Sequence, residues 1–184
     1  MSIPATYRGI VNDFNKRVKY LKDYFCHLPD LIKDYPCDVA ISYLFARVEL
    51  AHNMTIYCSV VKLHRVNSEL AKVAVNNQHM TRDGFRELFK SITGKTIKAD
   101  TLKFIQEAEG IRDQILHGKT VSEDQKRKAV CDIINYAVKF NAEVNSICGF
   151  KPFGSLKGYK GRAESLDKST SRWVLKGIGF NQFQ

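Results

Sequence analysis

The sequence lacks any apolar stretch long enough to cross a membrane. Its first eight residues also lack the apolar core of a signal peptide. We therefore expect a cytoplasmic protein that has no membrane partner.

A cysteine pattern typical of a metal site or a disulfide framework is absent as well. The five cysteines are odd in number and include no Cys-x-x-Cys pair, and no His/Cys spacing suggests zinc. We expect reduced thiols and no metal. The glycine-rich stretch 154–160 lacks the Walker spacing, which argues against a P-loop nucleotide site, and we expect no cofactor. The cysteines are Cys26, Cys37, Cys58, Cys131 and Cys148.

Acidic residues are scarce relative to basic ones. The 184 residues include 29 Lys and Arg but only 19 Asp and Glu, which gives a formal net charge of +10. Such a charge suggests an anionic partner, most often nucleic acid or a membrane surface, although a basic soluble protein without such a partner has the same composition. The length favours a single domain with its own core.

Apolar residues recur at three- and four-residue steps over most of residues 1–148, and no confident strand pattern occurs there. The sequence predicts an all-α bundle of about five helices. The first runs from Thr6 to His27 and is broken by Leu28-Pro29-Asp30 and Tyr35-Pro36. The second begins at Asp38, with an interruption near Asn67-Ser68. The remaining three lie around Phe85–Ile92, from Asp100 to a glycine at 118, and from the capping box at Ser122 to Gly149.

The fourth predicted helix ends in the segment from Gly110 to Gly118, which carries Arg112, Asp113 and His117. Gly118 stands where a helix-ending glycine with positive φ belongs. Asp113 and His117 are four residues apart, so they share one helix face. Arg112 and His117 lie about 140° apart on an ideal helix. They converge if the last turn opens, if the arginine curls round, or if a second chain supplies the partner.

The pattern Arg112-x4-His117, with a polar residue after the arginine and a glycine after the histidine, resembles the R-x(4–6)-H motif of HEPN domains. These are small α-helical domains, many of them metal-independent endoribonucleases. The resemblance covers approximately Asp38 to Ile147. It implies a homodimer in which two motifs face each other across a two-fold axis. It also implies a role as a toxin or antiviral (antiphage) defence effector that a partner protein holds inactive.

The resemblance assigns catalytic roles to three residues. RNA is cut without metal when its 2′-hydroxyl attacks the phosphate, which requires proton transfer at that hydroxyl and at the leaving 5′-oxygen. His117 suits either proton transfer, and the Arg112 fork suits the phosphate oxygens. Asp113 would orient the His117 ring. One chain offers one His117 at the motif, so two protomers would supply both proton-transfer groups. Gly110, costly inside a helix, is then expected where another backbone approaches closely.

Glu49, His52 and Asn53 form a polar cluster within an otherwise apolar helix. An exposed stripe is one interpretation of this cluster. The other, which the resemblance implies, is that these side chains support the Arg112/His117 site, because HEPN domains pack their second helix against the motif helix.

Residues 149–184 form a basic C-terminal extension that is rich in glycine and aromatic residues. So many aromatics argue against simple disorder, and we expect the extension to dock on the helical domain of residues 1–148. Interleaved basic and aromatic residues also suit a single-stranded nucleic-acid groove. We expect Trp173 to be docked and the basic residues Lys157, Lys160, Arg162 and Arg172 to bind RNA.

Two further functions compete with the ribonuclease hypothesis. A non-catalytic HEPN-like module would bind RNA or a protein, with Arg112 paired to Glu109 or Asp113 and His117 serving only as a helix cap. A DNA-binding regulator is disfavoured because the sequence has no recognisable helix-turn-helix pattern.

Overall fold

The computed structural model describes residues 3–154, 156, 159 and 164–180. Within these ranges the chain forms nine α-helices and no strand, which confirms the predicted all-α class. No helix in the described ranges combines the length and the apolar character that a membrane span needs. The helices are α1 Tyr7–Asn15, α2 Lys19–Tyr24, α3 Leu28–Asp34, α4 Cys37–His64, α5 Ser68–Asn77, α6 Arg82–Thr93, α7 Ala99–Leu116, α8 Glu123–Cys148 and α9 Lys168–Ile178.

The helix count exceeds the predicted five partly because the predicted first helix is divided. The α1 helix ends at Asn15, and α2 begins at Lys19 after an extended Val18 with ψ of 146°. Val18 is 51% exposed, whereas Ile10, Phe14 and Leu21 are buried.

Pro29 starts a helix where the sequence predicted only a break. It lies in the first turn of α3, where the missing N–H of proline has no intrahelical partner to lose. The short α3 packs against α1.

The predicted interruption of the long second helix lies just before Asn67. The α4 helix ends at His64, and Arg65 adopts a positive φ of 53°. Asn67 then caps α5, because its side-chain oxygen accepts hydrogen bonds from the N–H groups of Glu69 and Leu70.

Three local signals in the sequence are confirmed. Ser122 and Gln125 form the reciprocal capping box: the Ser122 N–H donates to Gln125 Oε1 at 2.9 Å, and the Gln125 N–H donates to Ser122 Oγ at 3.2 Å. Gly118 and Gly149 both have positive φ, 68° and 72°, immediately after helix ends.

The chain divides into two compact units. Unit 1 covers Met1–Glu49 and Lys98–Asn141, and unit 2 covers Leu50–Ile97 and Ala142–Gln184. The core of unit 1 is aromatic and aliphatic and includes Phe14, Phe25, Leu44, Ile105, Ile133 and Phe140.

In unit 2, residues of the C-terminal extension pack on earlier helices. The α9 helix contacts α5 and α6, and the Leu166 N–H donates to the Arg65 carbonyl at 2.8 Å. Phe150, Phe153 and Phe180 are buried. The expectation that Trp173 is docked is wrong, because its side chain is 81% exposed.

Candidate functional site

The end of α7 places His117 at the surface of unit 1. His117 is the C-terminal cap residue, and its N–H donates to the Asp113 carbonyl at 3.1 Å. The Gly118 N–H bonds the Ile115 carbonyl at 3.0 Å, and the Lys119 N–H bonds the Gln114 carbonyl at 2.9 Å. These two bonds form a Schellman motif, which requires the positive φ of Gly118. The glycine therefore ends the helix at His117 and leaves this residue exposed.

Arg112 lies five residues before His117 in a contrasting environment. Its side chain is only 19% exposed. The guanidinium carbon lies 4.5 Å from the ring centre of Phe45, a buried residue of α4, in a cation–π contact. This contact fixes the plane of the guanidinium against the core of unit 1.

Two carboxylates complete the surroundings of Arg112. Asp113 Oδ1 accepts hydrogen bonds from Nε at 3.2 Å and from Nη2 at 3.0 Å. Glu49 Oε1, on α4, lies 3.7 Å from Nη1. The Glu49 side chain is 70% exposed and that of Asp113 is 43% exposed, so solvent weakens both pairings. An anionic ligand of higher charge could displace Glu49 with little loss of stability.

The polar cluster predicted on α4 is divided between the two units. Glu49 belongs to unit 1, is exposed and contacts Arg112, whereas its support of the site stays a prediction. His52 and Asn53 belong to unit 2. The His52 ring stacks on Phe85 with centroids 4.0 Å apart, and burial lowers the pKa of His52 to about 3. His52 is therefore neutral near pH 7 and packs against an aromatic residue of α6.

Sequence reasoning missed Phe45 as a site residue. The signal was present in the spacing, because Phe45 precedes Glu49 by four residues and so lies on the same face of α4. An aromatic ring and a carboxylate on this face of α4 both contact Arg112.

Only one of the four predicted RNA-binding residues lies within the described part of the chain. Lys157, Lys160 and Arg162 lie outside the described residues. Arg172 lies on α9 and is exposed.

One cavity in unit 1 is separate from the motif. It has a volume of about 770 Å³ and lies among α1, α7 and α8, and its lining includes neither Arg112 nor His117. Lys128 on its wall pairs with Glu107 and with Asp132, the latter at 2.6 Å. The whole lining carries four cations and three carboxylates, a formal net charge of +1: Arg17, Lys103, Lys128 and Lys139 against Asp13, Glu107 and Asp132.

Across the described ranges, no group of three or more His, Cys, Asp and Glu side chains is arranged to hold a metal ion. The chemistry that the motif can perform on its own is proton transfer at His117 and anion binding at Arg112.

Comparisons of the chain with protein-family models, curated proteins and solved structures found no match. Any assignment of function therefore rests on the motif and on the geometry of its surroundings.

Proposed function

We propose that this protein is a metal-independent endoribonuclease of the HEPN type, which cleaves RNA by attack of the 2′-hydroxyl at a dimeric R-x4-H site. The observation that carries the proposal is the contrast between a fixed, largely buried Arg112 and an exposed His117 five residues later. A phosphate-binding cation and a proton-transfer group are the two components that this chemistry needs.

In this mechanism Arg112 binds the oxygens of the scissile phosphate. The phosphate displaces the exposed Glu49 carboxylate and meets a guanidinium whose plane Phe45 already fixes. Such preorganisation lowers the cost of stabilising charge that develops on the phosphorane. His117 transfers the proton. Asp113 holds the guanidinium through two hydrogen bonds, and its predicted action on the His117 ring stays a prediction.

A second copy of the chain would supply the second proton-transfer group. The surface beside His117 supports this proposal: Leu116 is 67% exposed, and Ile111 and Ile115 are only half-buried. A Cβ added at Gly110 would meet nothing within 4 Å, so another backbone has room to approach there. Apolar side chains at the end of the motif helix are what a two-fold interface would cover.

One observation favours the non-catalytic alternative. The charge of Arg112 is offset by Glu49 and Asp113, as in an arginine whose role is structural. In that case the HEPN-like module binds RNA or a protein without cutting.

The biological role that the resemblance suggests is that of a toxin or an effector of antiphage defence, acting on cellular RNA in the cytoplasm. A neutralising protein partner belongs to the same proposal. The net charge of +10 is consistent with an RNA substrate.

Cleavage of total RNA in the presence of EDTA tests the proposal. We expect His117→Ala to cut 10²–10⁴-fold more slowly, which is the typical cost of losing a general acid or base. His79→Ala is the matched control, because His79 is also exposed but lies outside the motif. Loss of cleavage in His117→Ala with RNA binding intact separates an enzyme from a binder. Full activity in His117→Ala, or activity only with a divalent metal, would overturn the proposal.

A further inference from the structure

The α9 helix has a buried face and an exposed face. Ser171 and Leu175 are completely buried, and Ser171 Oγ accepts a hydrogen bond from the Asn67 N–H at 2.9 Å. Asp167 caps the helix by accepting hydrogen bonds from the N–H groups of Ser169 and Thr170. The buried face packs in unit 2 against α5 and α6. This packing leaves the opposite face of α9 exposed.

The exposed face combines three cations with an aromatic ring. On a helix with 100° per residue, Lys168, Arg172 and Lys176 follow one another at about 40° intervals, and Trp173 lies about 60° beyond Lys176. All four residues are exposed, and the Trp173 side chain is 81% exposed. Lys168 lies 3.5 Å from Glu69, whereas Arg172 and Lys176 have no carboxylate partner among the described residues. Two cations without a carboxylate partner among the described residues therefore lie on one side of a large aromatic surface.

Gly177 keeps the Trp173 ring uncovered. A glycine inside a helix costs about 0.5–1 kcal/mol relative to alanine, and a Cβ added at Gly177 would meet nothing within 4 Å. A helical side chain leans over the turn that precedes it. A side chain at position 177 would therefore lie over Trp173, four residues earlier, and the glycine leaves this space open.

We propose that the exposed face of α9 binds single-stranded RNA, with one base stacked on Trp173 and the adjacent phosphates paired with Arg172 and Lys176. Stacking on an exposed aromatic ring beside cations is the usual way in which single strands are held without sequence readout. A duplex keeps its bases stacked on each other, so their faces are closed to Trp173. The inference extends the proposed ribonuclease by naming the single-stranded character of its substrate, but it is tested by binding alone.

An RNA strand fits this face better than an anionic membrane surface does. Membrane-surface helices bury a broad apolar face, whereas in α9 Leu175 is buried within unit 2 and Val174 and Ile178 are half-buried. Trp173 is the one large apolar side chain that α9 exposes. The exposed face carries Ser169 and Thr170 beside the single aromatic residue.

Trp173 is the only tryptophan of the chain, so tryptophan fluorescence, excited selectively over the eight tyrosines, reports on this ring alone. The probe is a single-stranded 2′-O-methyl oligonucleotide, which lacks the nucleophile of the proposed cleavage and stays intact. We expect it to quench the fluorescence saturably, and the same sequence as a duplex to quench much less. Vesicles of anionic phospholipid should leave the emission unchanged. No quenching by the single strand, equal quenching by the duplex, or quenching by vesicles would each overturn the inference.

Three variants locate the binding, measured by anisotropy of a labelled oligonucleotide. Trp173→Ala should weaken it about 5- to 150-fold. Arg172→Ala with Lys176→Ala should flatten the salt dependence by about 1.4 units of slope, or 0.7 per phosphate. The charge-matched control is Lys19→Ala with Lys33→Ala, at exposed positions on α2 and α3, and should keep the slope within about half a unit.

Gly177→Leu separates binding from folding. Leucine favours a helix more than glycine does, so the melting temperature should stay equal or rise, whereas the added side chain should cover Trp173 and weaken binding. Unchanged affinity in both Gly177→Leu and Trp173→Ala would overturn the inference. The proposed ribonuclease activity is tested by a separate result. If wild-type protein binds the single strand but never cuts unmodified RNA, the proposal for α9 stands and only the catalytic proposal is contradicted.

Discussion

Arg112 is held by three kinds of contact: the face of Phe45, hydrogen bonds to Asp113, and a longer ion pair with Glu49. The first two fix its orientation, since one packs against the guanidinium face and the other engages Nε and Nη2. The third is mostly exposed, and exposed ion pairs contribute about 0–1 kcal/mol. A ligand phosphate therefore competes with Glu49 more easily than with the other two partners.

Glu49→Gln tests this competition at the residue scale. Removing the carboxylate should strengthen RNA binding up to about fivefold, which corresponds to an exposed ion pair of up to about 1 kcal/mol. Arg112→Lys should act in the opposite direction, because lysine keeps the charge but loses the planar fork. Its kcat/KM should fall roughly 10- to 150-fold, the cost of a lost hydrogen bond to a charged group. Steady-state kinetics on a short RNA separate the two effects. Weaker RNA binding in Glu49→Gln would show that Glu49 supports the site rather than competing with the phosphate.

At the scale of elements, the end of α7 decides where His117 lies. The Schellman motif depends on Gly118, whose φ of 68° costs an L-residue about 1–2 kcal/mol. Gly94 ends α6 in the same left-handed conformation, with φ of 66°, and a Cβ at either glycine would meet nothing within 4 Å. An alanine should therefore cost the same backbone free energy at either position, although only Gly118 lies beside His117.

This pair gives a matched test. Gly118→Ala and Gly94→Ala should each lower the free energy of unfolding by about 1–2 kcal/mol. Only Gly118→Ala should also reduce RNA cleavage, because it shifts the backbone that presents His117. Denaturant unfolding and cleavage rates are measured on both variants. Equal activity in the two would mean that the helix end does not position the reacting histidine.

The helix ends that were predicted from sequence are those with local chemical signals. Gly118 and the Ser122–Gln125 capping box act within a few residues, so the sequence alone carries them. The break between α1 and α2 left no such signal. Phe14 and Leu21 are seven residues apart, which keeps helical periodicity across the extended Val18. The positive φ of Arg65 was not predicted either, because no glycine occupies that position.

The candidate site was also predicted only in part. A contact of Glu49 with the motif was one of two interpretations of the polar cluster, and the structure shows Glu49 near Arg112. Trp173 was expected to be docked because so many aromatic residues in the extension argue against disorder. Packing of α9 against α5 and α6 instead buries the face with Ser171 and Leu175. That packing depends on residues about a hundred positions away in sequence, such as Asn67.

At the scale of the whole molecule, the proposed chemistry requires assembly. The exposed Leu116 next to His117 is the side chain that a partner at the motif would cover. Leu116→Asp should weaken the dimer at least about tenfold, because burying a leucine contributes about 1.5–3 kcal/mol, and it should reduce cleavage in parallel. Val73→Asp is the control, since Val73 is 42% exposed but lies on α5. Sedimentation at micromolar concentration measures dimerisation of the two variants, and their cleavage rates are measured alongside. A strict monomer that still cuts RNA would contradict the composite site.

The chemical nature of the cleaved ends tests the central claim most directly. Purified protein is incubated with a defined RNA in EDTA, and the products are analysed by mass spectrometry. Attack by the 2′-hydroxyl predicts a 2′,3′-cyclic phosphate on one product and a 5′-hydroxyl on the other, with DNA and RNA carrying 2′-O-methyl at the cut left intact. A 5′-phosphate product whose formation requires a divalent metal would contradict the account.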